Sequence, residues 1–151
     1  MKNYLLSAIV LLLSFNLLSQ NNTSYYFSKV VNLSYENAIE KTKAALKKQE
    51  FGVITEIDMH EKLAEKIDNV DMKPYKILGA CNPAFAYETL KVEENIGLFL
   101  PCKVLVKKID EKSTEIVMVN PSALMKMLGN EKLIPVAEEV TIRFRKALED
   151  I

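Results

Sequence analysis

Cys81 and Cys102 are the only thiols in the 151-residue chain, and each sits in a distinctive context: Gly79-Ala-Cys-Asn-Pro83 and Gly97-Leu-Phe-Leu-Pro-Cys102. Thiols can form a disulfide, act as nucleophiles, bind soft metals or fill space as small hydrophobes. Asn82-Pro83 reads as a helix start, because asparagine caps and proline is accepted at the first helical position. A thiol just ahead of a helix N-terminus lies near unpaired N–H groups and the positive end of the dipole, which favours thiolate. Cys81 is therefore a candidate for a lowered pKa; the plainer alternative is a small buried residue beneath a Gly-Ala turn. Cys102 follows Pro101 where the chain enters a strand, a position where proline costs no ladder hydrogen bond. If that strand starts beside the end of the strand before Cys81, the sulfurs converge. A disulfide across their separation of 21 residues would contribute about 3 kcal/mol.

Other chemistry has little to draw on. The cysteines lack the C-x-x-C spacing of a dithiol redox motif. With His60, the one histidine, they fall short of a four-ligand zinc site, and His60-Glu61-Lys62 reads as a charged, solvent-facing segment. No metal or cofactor is assigned. There is no Gly-x-Ser-x-Gly elbow, phosphate-binding Gly-rich loop or His-Glu-x-x-His helix. Glu93-Glu94 and Glu138-Glu139 fit exposed faces better than acid/base pairs.

The elements that must position these residues follow from periodicity. Tyr25 to Asn32 is a strand. Ser34 caps a helix whose apolar face is Tyr35, Ala38, Ile39, Thr42, Ala45 and Leu46. Phe51 to Met59 is a second strand, His60 to Asp68 has helical composition, and Asn69 to Lys73 is loop. Pro74 to Ala80 is a strand entering the first cysteine motif, and Pro83 to Val92 is the helix after it. Leu98 to Ile109 and Glu115 to Val119 form an antiparallel hairpin around Glu111 to Ser113. Pro121 to Leu128 is a short helix closed by Gly129. The last helix starts near Pro135, with Val136, Ala137, Val140, Phe144, Ala147 and Leu148 as its stripe. The class is α+β: one compact domain with a mixed, mainly antiparallel sheet of about five strands and helices mainly on one face.

Residues 1–20 read as a signal peptide, with a basic start at Lys2 and an apolar run from Tyr4 to Leu18 that is too short and interrupted for a permanent span. Residues 21–24 are a polar spacer, and 25–151 form the domain. The expected localisation is export, periplasmic or secreted, with membrane contact only through the N-terminal segment if it stays uncleaved. Cleavage would leave 131 residues carrying 19 Lys plus Arg against 20 Asp plus Glu, with the charges interleaved. Such a balance excludes the net positive field of a nucleic-acid binder.

The ordered motifs Ile77-Leu-Gly-Ala-Cys-Asn-Pro83, Ala86-Tyr-Glu-Thr-Leu90, Ile96-Gly-Leu-Phe-Leu-Pro-Cys102, Asn120-Pro121 and Val136-Ala-Glu-Glu-Val140 resemble the DUF302 domain family over about Tyr25 to Ile151. The resemblance implies a compact α/β sandwich, often a homodimer, with Cys81 and Cys102 as family features, and it implies no activity. Asn120 departs from the pattern, since members often carry an acid there, and His60 matches no motif. The leading functional expectation is a module that binds a small ligand or a protein partner, without turnover, at a site formed by Cys81, Asn82 and Cys102. The alternatives are a thiol-based redox or sulfur-handling protein in which Cys81 attacks and Cys102 resolves, and a structural domain with no chemistry at the cysteines.

Overall fold

The computed structural model describes residues 24–151, so the expected signal peptide lies outside the described residues. Five strands, β1 (Tyr26–Val31), β2 (Gly52–Asp58), β3 (Tyr75–Cys81), β4 (Cys102–Lys108) and β5 (Thr114–Val119), form one sheet in the order β1-β5-β4-β3-β2. The α+β class and five strands are those read from the sequence. Every neighbouring pair is antiparallel, so the sheet is not mixed. The strands joined by the first helix, β1 and β2, end at opposite edges and never pair.

Helix α1 (Tyr35–Lys48) begins where the Ser34 side chain accepts the Asn37 N–H, and its first and last turns carry Glu36 and Lys47-Lys48, complementing the helix dipole. The six residues it buries are the six expected from spacing. Helix α5 (Ile134–Glu149) buries Ala137, Val140, Thr141, Phe144, Ala147 and Leu148. The two helices pack on the inward face of the sheet, where alternation brings Leu78, Ala80, Val104, Val106, Ile116 and Met118 into one core. Phe144 is fully buried and meets Phe51 edge-on, with centroids 4.8 Å apart. A second, smaller cluster gathers Ile96, Met125, Leu133 and Ala137.

Three short helices complete the domain: α2 (Met59–Ala64), α3 (Pro83–Val92) and α4 (Pro121–Leu128), the last closed by Gly129 at φ 69°. On α2, His60 is half-buried rather than solvent-facing. Its Nδ1 accepts the Tyr75 N–H at 3.1 Å and its ring meets Tyr35 edge-on, so it fastens the entrance of β3. The strand expected from Leu98 starts only at Cys102, and Glu94–Phe99 is instead a 3₁₀ segment. The Glu93 carboxylate caps that segment by accepting the Asn95 N–H at 3.1 Å, and Pro101 has no N–H to offer a ladder.

Candidate functional site

Antiparallel pairing runs β3 and β5 in one direction and β4 in the other, which puts the ends of β3 and β5 and the start of β4 on one rim of the sheet. Both outgoing strands turn into helices through Asn-Pro. At the first turn, the Asn82 Oδ1 accepts the N–H groups of Ala84 and Phe85 at 3.0 and 3.2 Å. Its Nδ2 donates to the Glu50 carbonyl at 3.1 Å, holding a residue whose backbone is left-handed at φ 64°. At the second turn, the Asn120 Oδ1 accepts the Ala123 N–H at 3.4 Å and its Nδ2 donates to the Ser24 carbonyl at 2.9 Å. The remaining free amide there, Ser122 N–H, goes to the Thr141 hydroxyl at 3.0 Å. Proline at the first position of each helix removes one further donor. The first turns of α3 and α4 therefore keep no N–H for an outside acceptor.

The two cysteine motifs do meet, but not through sulfur. Gly79 pairs with Lys103 across β3 and β4, and a Cβ added to it would stand 2.5 Å from Pro101 Cγ and 2.1 Å from Thr55 Oγ1. Glycine is thus what lets the Pro101 ring close over β3. The thiols are free. Register places Ala80, not Cys81, opposite Cys102. The expected convergence of the sulfurs into a bridge is not found.

The expected activation of Cys81 is not found either. Burial raises the Cys81 pKa above the ordinary thiol value. Burial, reinforced by the charge an ionised Cys81 would carry and opposed by Lys103, pushes Cys102 up to about 11. The helix end that could have stabilised a Cys81 thiolate is already satisfied by the Asn82 side chain.

Both thiols border one cavity of about 230 Å³. Its floor is Ala80, Cys102 and Val119 from the sheet rim; Phe85, Ala86 and Thr89 of α3 form one wall, and Leu124, Met125, Val136 and Val140 of α4 and α5 the other. The 3₁₀ segment borders the mouth with Leu98 and Phe99, which are 85% and 40% exposed. Asn82 also lines it, so the three residues singled out in the sequence border the same space. The rest of the wall comes from residues that the sequence marked only as helix positions or as members of the family motifs, not as a site. Sequence reasoning also missed Thr141, whose only signal was a polar residue beside an apolar stripe. Among the described residues, no group of three or more His, Cys, Asp or Glu side chains could hold a metal ion. No described helix is long and apolar enough to cross a membrane.

A five-stranded antiparallel sheet with helices gathered on one face, and an apolar cavity at its capped rim, defines a small α+β domain. The pattern of the family described as "Domain of unknown function DUF302" matches residues 27–151, and the chain belongs to that family. The fold is similar to the crystal structure of an uncharacterized conserved DUF302 protein from Bacillus stearothermophilus. That match has a TM-score of 0.76 and 30% identity and covers 83% of this chain and 97% of the other. No curated protein matches the chain.

Proposed function

We propose that this protein is a small-ligand-binding module whose site is the cavity bordered by Cys81, Asn82 and Cys102. The observation that carries the reading is the cavity itself: about 230 Å³ of space, open at an apolar mouth, where all the sequence motifs come together. A pocket of that kind, lined by apolar side chains at the junction of several elements, is the usual form of a binding site. The cysteines serve as wall: neutral, half-buried thiols with raised pKa values suit contact with a ligand and do not suit nucleophilic attack. Thiol-based redox chemistry has no observation in its favour here, because the sulfurs are unbonded and their register sets them apart.

The test is ligand-observed saturation-transfer NMR with a set of small apolar and polar fragments, comparing wild type with Ala86→Phe. Ala86 is half-buried on α3 and faces the cavity, so a phenyl ring there fills the space from a helical position that tolerates it. Fragments that report on wild type and fall silent on A86F, with the variant's melting temperature within a few degrees, support the reading. Equal signals from both proteins, or none from wild type, contradict it.

A further inference from the structure

We infer that the ligand of this cavity is an uncharged, apolar molecule of about two fused rings, and that carboxylates, phosphates and ammonium compounds are excluded; this rests on the cavity being a ligand site. It follows from the polar side chains in the wall and from the helix starts beside it. Asn82 spends its oxygen on two helix N–H groups and its nitrogen on the Glu50 carbonyl. The Thr89 hydroxyl donates back to the carbonyls of Phe85 and Ala86, each at 3.0 Å. Two helices begin at this rim, which would ordinarily favour an anion. Their free N–H groups are all taken, by Asn82, Asn120 and Thr141, or removed by proline.

Among the described residues, the only charged residue at the cavity is Lys103, which is exposed and whose Nζ donates to the Pro101 carbonyl at 2.6 Å. The thiols are neutral, so neither repels an apolar ligand. A charged group entering this space away from the exposed Lys103 would lose its water and find no charged partner, a cost of several kcal/mol. An apolar body loses nothing and gains the burial of its surface. Size follows by comparison: a dry cavity of roughly 150 Å³ lined by aliphatic and aromatic side chains holds benzene, and this one, at about 230 Å³, is half as large again. The exposed Leu98 and Phe99 at the mouth continue the apolar surface outward, giving such a ligand an entry without a polar barrier.

The test is isothermal titration calorimetry of the described domain, residues 24–151, and of the full chain, with three probes of matched shape: 1-methylnaphthalene, 1-naphthoate and 1-naphthylmethylammonium. The neutral probe is expected to bind at least tenfold more tightly than either ion, and Lys103→Ala is expected to leave its affinity unchanged. Naphthoate binding as tightly as the neutral probe, with that affinity lost in K103A, would overturn the ligand class and assign Lys103 as an anion contact, while leaving the cavity as a binding site. Tight binding of the ammonium probe would likewise overturn the class alone. Failure of all three probes would overturn both the class and the binding reading.

Discussion

Replacing Asn82 tests the architecture of the site rim through one side chain that does two jobs. Asn82→Ala removes the acceptor for the Ala84 and Phe85 N–H groups, and loss of an N-cap costs about 1 kcal/mol. It also strands the Glu50 carbonyl, which loses its Nδ2 donor; a partly buried carbonyl left unpaired costs about 1–2 kcal/mol. Asn82 is only 8% exposed, so water cannot fully replace either interaction. The total, about 2–3 kcal/mol, corresponds to a fall in melting temperature of roughly 8–12 °C for a domain of this size. Asn82→Asp separates the two jobs: its carboxylate still caps the helix and is favoured by the dipole, but it has no donor for Glu50. Urea denaturation is therefore expected to rank wild type above N82D and N82D above N82A, with unchanged m-values. An N82A variant within 0.5 kcal/mol of wild type, or an N82D variant less stable than N82A, would refute the reasoning.

Three further outcomes follow from the same geometry. Gly79→Ala is expected to destabilise by about 1–3 kcal/mol, because its Cβ would press into the Pro101 ring; combining it with Thr55→Ala relieves only the contact with Thr55 Oγ1, and chemical denaturation should show the double variant still impaired. Thr141→Val keeps the shape of the side chain but removes the acceptor of the Ser122 N–H, at an expected cost of about 1–2 kcal/mol in the same assay. Stability should also fall at alkaline pH. Cys102 titrates near 9 when unfolded and near 11 when folded, so the neutral thiol's contribution is full below pH 9 and is lost as pH rises to 11. Tyr35, raised from 10 to about 12 chiefly by burial, adds a second loss between pH 10 and 12. Denaturation midpoints measured across this range should show the first loss disappear in Cys102→Ala and the second persist.

Local physics was readable in the sequence, and long-range geometry was not. Ser34, Asn82-Pro83 and Asn120-Pro121 each announce a helix start by residue type alone, and the buried face of α1 follows from a 3.6-residue spacing. The site's location at the two cysteine motifs was also legible, because glycine, proline and asparagine cluster there. What joins the motifs was not: Gly79 and Pro101 are apposed by the β3–β4 register, and the Asn82–Glu50 bond spans 32 residues. The direction of the Cys81 pKa failed for an instructive reason. Sequence shows that a helix begins after the thiol, but not that the adjacent asparagine consumes the N–H groups that would have stabilised its charge. The late start of β4 has the same character, since Pro101 decides where the ladder can begin whatever the apolar alternation before it suggests.

Chemical-shift mapping of backbone amides during a titration with 1-methylnaphthalene tests the binding site most directly. The largest shifts are expected at Ala80, Phe85, Ala86, Thr89, Leu124 and Val136, which surround the cavity, while Leu105 and Lys107 on the outward face of the sheet stay still. Saturating shifts confined to that outward face, or no shifts up to the solubility limit of the probe, would contradict a ligand site at the capped rim.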